Sequence, residues 1–331
     1  MFKTMANQYI SFNYPDETAR IQHTVGYINE QIESGRGARL VEEGEAWHNQ
    51  QLARIAQAIS TRPEIRVVLL AGPSSSGKTS TSHRLCLQLL ECGLQPVALS
   101  LDNWFVESDK TPLDEEGKPD YESVYALDLK LLWSDLKALI AGKVRDLPVF
   151  NFLTAKREYN GQQLQLKPKN ILVIEGIHAL NPLLTKHIPV SCKYKIYAAP
   201  MSPISLDGEH WISTHLNRLL RRMSRDKRTR GRSPQDTIAI WKAVRAGEEK
   251  WIEPFRNEAD ALFDTSMTYE IPAIKIDMER ALQTVPASSP EYEMAKKLLS
   301  FLKFFEPLPA DLVPRTSILR EFIGGSQFNV G

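Results

Sequence analysis

The sequence predicts an α/β fold in which helices cover both faces of a mostly parallel sheet. Short apolar runs occur at 67–70, 95–101 and 170–175, and such runs are typical of strands buried on both faces. The first two are separated by one helical segment at 80–90, an arrangement that makes the strands parallel. The chain has 331 residues, of which 42% are hydrophobic, and this suffices for one large domain or two.

The other elements follow from periodicity and from the residues that interrupt it. Residues 1–45 are weakly patterned and are predicted to form an N-terminal appendage to a main domain at 46–331. Helices are predicted at 46–60, 129–141, 211–225, 236–251 and 290–305, and further strands at 193–198 and 261–267. A polar flap is expected at about 105–165, with a hairpin that turns at Asn160–Gly161, and a helical extension at about 285–331.

The stretch 72–79 reads G-x-x-x-x-G-K-T between the first predicted strand and a helix. In that context main-chain amides face an anion, and the helix N-terminus adds partial positive charge. The Lys78 ammonium can reach the terminal phosphates, and the Thr79 hydroxyl can hold Mg²⁺. The residues expected to bind the nucleotide are Gly72, Pro73, Ser74, Ser75, Ser76, Gly77, Lys78, Thr79 and Ser80. The sequence therefore predicts the P-loop NTPase fold, and a serine-rich loop that only caps a helix is the alternative.

Two carboxylates follow strands that should lie beside this loop. Glu175 ends the run 170–175, where an acidic side chain is a usual partner of Mg²⁺, and the alternative is a strand-end carboxylate exposed to water. Asp102 follows the second strand, at the edge where parallel sheets bind ligands. A small-molecule kinase needs a base for the acceptor hydroxyl, and Asp102 is placed for that role, with a capping or turn aspartate as the alternative.

Seven arginines and one lysine fall between residues 218 and 232. Four share helical spacing and three follow in a loop: Arg218, Arg221, Arg222 and Arg225, then Arg228, Arg230 and Arg232. A lid at about 212–233 that closes over ATP would bring such arginines to the charge of a transferring phosphoryl group. A solvated basic face or a nucleic-acid surface are the alternatives, but a nucleic-acid surface should interleave aromatic residues, and this stretch has none.

Composition narrows the partners further. The net charge of +1 gives no global field for nucleic acid or membrane, and no apolar run approaches membrane-spanning length. Three scattered cysteines and the lack of a signal pattern favour a reducing, cytoplasmic location. The histidines lack metal-ligand spacing. The expected partner is a small-molecule acceptor, and the oligomeric state stays open, with a homo-oligomer as one alternative.

Six stretches occur together in the order that a known family shows. They are Gly72–Thr79, Ser100–Phe105, Pro148–Phe152, Ile174–Ile177, Arg221–Asp226 and Arg230–Arg232. Together they resemble the uridine kinase and phosphoribulokinase family of P-loop kinases over roughly residues 60–270. Ala126–Asp128, Gly247–Trp251 and Leu319–Ser326 are similar to a bacterial nucleoside kinase subgroup that often carries an N-terminal module like those of threonyl-tRNA synthetase.

The resemblance implies phosphoryl transfer from ATP to the 5′-hydroxyl of a nucleoside, with Mg²⁺ held by Thr79 and Glu175. By position it makes Asp102 the base, with Lys78, Arg225 and Arg230 on the phosphates. The implied acceptor residues are Tyr121, Glu122, Phe150, Arg222 and Arg232. Asp260 falls near the family's adenine-side position.

Three departures from the family affect the choice of acceptor. Phe150, Ala155 and Ile240 stand where pyrimidine kinases have a Tyr, a His and a Gln that read the base. Because buried polar groups discriminate best between small substrates, specificity for uridine or cytidine is in doubt. The main hypothesis is ATP-dependent phosphorylation of a nucleoside-like acceptor. A kinase of another alcohol, a nucleotide-dependent regulator and an RNA-associated protein are the alternatives.

Overall fold

The computed structural model describes residues 10–11, 23–151, 154–161, 163–201, 204–207 and 210–330. Its centre is a five-stranded sheet in the order β11-β9-β2-β8-β3, and every neighbouring pair is parallel. The strands within the described residues are β1 (Ile10–Ser11), β2 (Val67–Ala71), β3 (Gln95–Ser100), β4 (Arg145–Asp146), β5 (Val149–Asn151), β6 (Lys156–Glu158), β7 (Gln163–Leu164), β8 (Asn170–Glu175), β9 (Lys193–Ala199), β10 (Trp211–Ile212) and β11 (Ala261–Asp264).

Helices cover both faces of this sheet, as the sequence predicts. The α-helices in the described ranges are α1 (Val25–Glu33), α2 (Gly37–Ser60), α3 (Lys78–Glu91), α4 (Leu129–Ile140), α5 (Pro182–Thr185), α6 (Thr214–Thr229), α7 (Pro234–Trp251), α8 (Glu270–Leu282), α9 (Tyr292–Leu302) and α10 (Arg320–Ile323). None of these described helices combines the length and apolarity that a membrane crossing requires.

The apolar run of β2 divides between two cores because successive side chains of a strand point to opposite faces. Val68 and Leu70 pack in the core under α2, α3 and α6, whereas Val67 and Leu69 pack in the core on the other face. All four are at most 1% exposed. Burial on both faces explains why the run is continuously apolar rather than alternating.

The N-terminal part of the described chain is not separate from this domain. Helix α2 runs through the boundary predicted between residues 45 and 46, and Leu40 and Leu52 belong to the same core as the sheet. The Asn29 amide donates to the carbonyl oxygen of Phe304 (2.8 Å) and accepts from the main-chain nitrogen of Glu306 (2.9 Å). Residues 23–45 therefore do not form the predicted appendage; the earlier part of the predicted appendage lies largely outside the described residues.

The predicted hairpin is present, but its turn is not at Asn160–Gly161. Strand β5 pairs antiparallel with β6, so the chain reverses between Asn151 and Lys156. Ala155 lies in this connection with φ 52°, the left-handed region that non-glycine residues rarely adopt. Asn160–Gly161 instead lies between β6 and β7, which pair with β5 and β4 of the opposite arm, so the chain does not reverse there. The turn predicted at Asn160–Gly161 was therefore wrong.

Candidate nucleotide and acceptor site

Residues 72–79, the phosphate loop, follow the central strand β2 and lead into α3. Gly72 packs so closely on β9 that a Cβ there would lie 1.9 Å from the carbonyl oxygen of Ala198. Ser75 and Gly77 have φ values of 60° and 85°, which turn the main chain before the helix begins. The Lys78 ammonium is buried and donates to the carbonyl oxygen of Pro73 (3.1 Å). The sequence thus folds into the predicted loop, with main-chain amides and one ammonium where an anion would bind, although the Ser80 amide already donates to Glu321 (3.1 Å).

Helix α6 presents its arginines to this loop, as predicted for a lid. Arg222 donates to the Ser74 hydroxyl (2.7 Å), and Arg225 donates to the Ser75 hydroxyl (3.2 Å). Arg218 donates to the carbonyl oxygen of Ser74 (3.1 Å). These contacts put guanidinium groups beside the loop that would hold the phosphates. The arrangement supports the lid interpretation over a solvated basic face.

The same arginines are paired with carboxylates. Arg218 forms a buried ion pair with Glu248, and Arg221 forms one with Glu270. Glu248 also accepts from Arg245 (2.7 Å). Buried charges persist only when they are paired and hydrogen-bonded, so these pairs hold the helix in a defined position.

The carboxylates predicted from strand ends lie together beside Lys78. Glu175 is in register with Ser100 on β3 and with Leu70 on β2, so its side chain lies between the phosphate loop and the turn that carries Asp102. The Thr79 hydroxyl donates to Glu175 Oε1 (3.4 Å). Burial, then the charge of Asp102, raise the pKa of Glu175 to about 7.

Asp102 lies in a short 3₁₀ turn at 101–104, and its main-chain nitrogen donates to the Ser100 hydroxyl (3.3 Å). Burial raises the pKa of Asp102, and the charges of Lys78, Arg230 and Arg225 oppose that rise. A carboxylate whose pKa is moved towards neutrality is a better general base at physiological pH. The structure therefore brings Asp102, Lys78, Arg225 and Arg230 into one electrostatic neighbourhood.

Glu122 faces the lid from the other side. Burial raises its pKa to about 7, and the nearby Arg222 opposes the rise. Its Oε2 atom is buried and makes no hydrogen bond within the described residues. The side chain packs on α7 at Gly247, where a Cβ would lie 2.4 Å from the Cβ of Glu122. An unsatisfied buried oxygen is costly, so this atom is a candidate to accept a hydrogen bond from a ligand.

The remaining predicted acceptor residues differ in position. Tyr121 is 47% exposed beside Glu122. Phe150 is buried against Phe105, and its main-chain nitrogen donates to Asn103 Oδ1 (3.4 Å), so it forms the apolar wall next to Asp102. Arg232 is exposed after the end of α6. Burial, and then the charges of Arg230 and Arg232, lower the pKa of Arg222. Arg232 therefore lies near the arginine that contacts Ser74.

Asp260 lies to one side of the phosphate loop. It precedes β11, and its carboxylate accepts from the main-chain nitrogen of Lys195 (2.7 Å). Lys195 on β9 is in register with Leu69 on β2, so Asp260 lies two strands away from β2, level with the residues that lead into the loop. The adenine-side role that the resemblance implies for Asp260 stays a prediction.

Two residues of the site were missed by the sequence reasoning. Glu321, on α10, accepts from the main-chain nitrogen of Ser80 (3.1 Å) and lies 3.5 Å from Arg225. His178 follows β8, and burial lowers its pKa to about 4, so it is neutral at physiological pH. The strand-end position of His178 was a usable signal, since Glu175 was found in that way. Glu321 had no local signal, because it lies 241 residues from Ser80.

The residues beside the loop fit a magnesium ion. A hydroxyl and a buried carboxylate, Thr79 and Glu175, are oxygen donors of the kind that Mg²⁺ prefers, and their oxygen atoms lie 3.4 Å apart. The described residues contain no cluster of three or more His, Cys, Asp or Glu side chains suited to a metal. Mg²⁺ bound with a nucleotide needs no such cluster, because phosphates and waters supply most of its ligands.

The sequence of this chain is similar to those of known kinases. The model of the phosphoribulokinase / uridine kinase family matches residues 67–272, more than half of the chain. A uridine kinase of Mycoplasma pneumoniae is 28% identical over 212 residues, which cover 64% of this chain and 90% of that protein. A uridine kinase of Staphylococcus aureus is 30% identical over 198 residues, covering 59% and 86%. Among solved structures, a D-glycerate 3-kinase of Cryptococcus neoformans covers 63% of this chain and 89% of its own, with 14% identity and a TM-score of 0.42.

Proposed function

The chain belongs to the phosphoribulokinase / uridine kinase family and is an ATP-dependent kinase of small molecules, and we propose that its acceptor is the hydroxyl of a nucleoside. The observation that carries the proposal is Glu122, whose buried Oε2 atom has no hydrogen-bond partner in the described chain. A carboxylate in that state suits the adjacent hydroxyls of a ribose, which donate two hydrogen bonds to one acid. The two relatives compared above are named uridine kinases.

In this proposal Asp102 accepts the proton of the acceptor hydroxyl. The acceptor oxygen then forms a bond to the γ-phosphorus of ATP while the bond to the bridging oxygen breaks, and ADP leaves. Lys78, Arg225 and Arg230 stabilise the charge that spreads over the transferred oxygens. Thr79 and Glu175 would hold Mg²⁺, which when bound neutralises phosphate charge.

The base of the nucleoside is expected to be recognised weakly. Phe150 and Ala155 offer no side-chain hydrogen bond, and Ile240 is an apolar residue on α7. Apolar pockets discriminate between similar substrates by roughly 10- to 200-fold per group, far less than hydrogen-bonding pockets do. We therefore propose an acceptor site that selects the ribose more strictly than the base.

The decisive experiment measures ADP release with ATP and Mg²⁺ against a panel of purine and pyrimidine nucleosides, 2′-deoxynucleosides, free sugars and glycerate. The proposal expects release to be stimulated by ribonucleosides and weakly by their 2′-deoxy forms. Stimulation by sugars or glycerate alone would make the protein a kinase of another alcohol. Nucleotide binding with a change in shape and no stimulation by any acceptor would favour the nucleotide-dependent regulator.

A further inference from the structure

Residues 317–323, here named the C-terminal segment, lie directly on the phosphate loop. Ile318 is fully buried, and its Cγ2 atom is 2.3 Å from the point where a Cβ on Gly77 would stand. Ser317 contacts the Tyr269 hydroxyl (3.0 Å between the two oxygens). The Phe322 ring lies 5.4 Å from the guanidinium carbon of Arg221. The segment is thus built into the interface between the loop and the lid helix α6.

Glu321 is the charged residue at the centre of this interface. Its carboxylate accepts from the main-chain nitrogen of Ser80 (3.1 Å), in the first turn of α3, and lies 3.5 Å from Arg225. Arg225 in turn donates to the Ser75 hydroxyl (3.2 Å). One carboxylate therefore connects the end of the phosphate loop with the arginine that the mechanism places on the transferred phosphate.

Hydrogen bonds from α6 to the main chain of the C-terminal segment also fix the position of the Glu321 carboxylate. Arg228 donates to the carbonyl oxygen of Glu321 (2.9 Å), and the Ser224 hydroxyl donates to that of Phe322 (3.2 Å). Both donors belong to α6, one turn apart, on either side of Arg225. Glu321 itself is 2% exposed. Its position is consequently set by the lid helix as well as by the loop.

We propose that Glu321 is a positioning residue that holds the Arg225 guanidinium against the phosphate loop in the geometry needed for phosphoryl transfer. The proposal rests on the proposed kinase function, because it concerns the same arginine. Without the carboxylate, Arg225 keeps one hydrogen bond, to the Ser75 hydroxyl, and its contact with the Phe322 ring (5.9 Å from the guanidinium carbon to the ring centroid). A long side chain with one hydrogen bond samples several orientations.

A carboxylate on a first-turn amide also has a competing interpretation. Anions bind at the N-terminus of a helix, so in this alternative Glu321 takes the place of a nucleotide phosphate and leaves when ATP binds. Displacing the Glu321 carboxylate would expose Ile318, Leu319 and Phe322, which are all fully buried. That burial makes the segment a permanent part of the site, and the two interpretations predict opposite effects on ATP binding.

The test compares Glu321→Gln, which keeps an oxygen for the Ser80 amide but loses the charge, with Asp311→Asn, an exposed acid in the preceding turn. Positioning predicts that Glu321→Gln lowers kcat by about 10- to 100-fold, as loss of a supporting residue typically does, with the KM for ATP within about threefold. Asp311→Asn should leave both values and the unfolding midpoint unchanged. An affinity for ATP that rises more than about threefold in Glu321→Gln would show that the carboxylate competes with phosphate and would overturn the proposal.

A second pair of variants separates positioning from a merely structural role. In an Arg225→Met background, Glu321→Gln should change kcat by less than about twofold, since the group it positions is already gone. An equal loss in both backgrounds would contradict the proposal. Binding of ADP with aluminium fluoride, a mimic of the transferring phosphoryl group, gives the same comparison without an acceptor. It should weaken by about 10- to 100-fold in Glu321→Gln while ADP alone is unaffected, so the proposal can fail or hold even if every tested acceptor is inactive.

Discussion

The lid helix α6 and the acceptor side both border the phosphate loop, but they differ in whether their buried charged groups have partners within the protein. On α6 each inward arginine has a carboxylate partner, as in the buried pairs Arg218–Glu248 and Arg221–Glu270. On the acceptor side the Oε2 atom of Glu122 is buried without a hydrogen bond inside the described chain, and the pKa of Glu122 is raised to about 7. The lid arginines are thus each paired with a carboxylate of the protein, whereas Glu122 forms no ion pair within the described residues. The lid side also has buried Nε atoms that lack a hydrogen bond in the described chain, on Arg221, Arg222 and Arg225.

The largest effect that sharpens this contrast is expected from Asp102→Asn. The amide cannot take a proton from the acceptor, so kcat should fall by roughly 10²- to 10⁴-fold, the usual contribution of a general base. ATP binding should be intact, because the phosphate loop and the lid arginines are unchanged. Steady-state turnover and calorimetric titration with ATP measure the two quantities.

Asp109→Asn is the matched control for this change, since it makes the same substitution in an exposed turn of the same polar region. It should behave as the unaltered protein does. If Asp102→Asn turned over at the rate of that control, Asp102 would have no part in the chemistry, and the acceptor side would not be the reactive one.

The next largest expected effect is a loss of folding stability when a carboxylate partner on the lid side is removed. Glu248→Ala leaves the Arg218 guanidinium, which is 2% exposed, without its carboxylate. Removing one partner of a buried pair typically costs about 3–5 kcal/mol. Denaturant unfolding should show that loss in the free energy of unfolding.

Glu249→Ala provides the comparison on the same helix. Its pair with Arg245 is exposed, and exposed pairs contribute about 0–1 kcal/mol. Equal stability of Glu248→Ala and Glu249→Ala would mean that the lid arginines are not held by their buried partners.

A smaller effect, on the pH dependence of the free energy of unfolding, is expected from Glu122→Gln. A carboxyl whose folded-state pKa is raised stabilises the fold below its ordinary value of 4.5, and this contribution is lost as pH rises through about 7. The unaltered protein should therefore lose about 2–3 kcal/mol more unfolding free energy between pH 4.5 and pH 8 than the variant does. The same variant should raise the KM for the acceptor, because the ribose loses its charged partner.

Glu115→Gln, in an exposed part of the same loop, supplies the control for that measurement. Its pH dependence should match the unaltered protein. Parallel stability curves for Glu122→Gln and Glu115→Gln would show that Glu122 is not an uncompensated buried acid.

The same contrast explains how much of the site could be predicted from the sequence. The phosphate loop, Glu175 and Asp102 were found because strand, loop and helix are contiguous, so a local pattern fixes their position. Glu321 could not be found in that way, because its contact with Ser80 depends on packing between residues 241 positions apart. Helix α2 crosses a predicted boundary for a similar reason: its buried face is recognised only once the core is known.

Local sequence patterns gave a wrong prediction where the sequence was compatible with two positions of the same structural feature. Asn-Gly is a strong turn dipeptide, yet the hairpin reverses near Ala155 and not at Asn160–Gly161. Ala155 has a strained backbone conformation, with φ 52°. The hairpin was thus predicted correctly and the position of its turn was not.

The central claim, that the acceptor side holds a buried acid reserved for substrate, is tested most directly by the pKa of Glu122. Carboxyl-carbon NMR of glutamate-labelled protein, with Glu122→Gln to assign the resonance, would follow its titration with and without a bound nucleoside. The account predicts a midpoint near 7 in the free protein, as the burial of Glu122 requires, and a lower one with the nucleoside bound. A midpoint at the ordinary value of 4.5 in both states would contradict it.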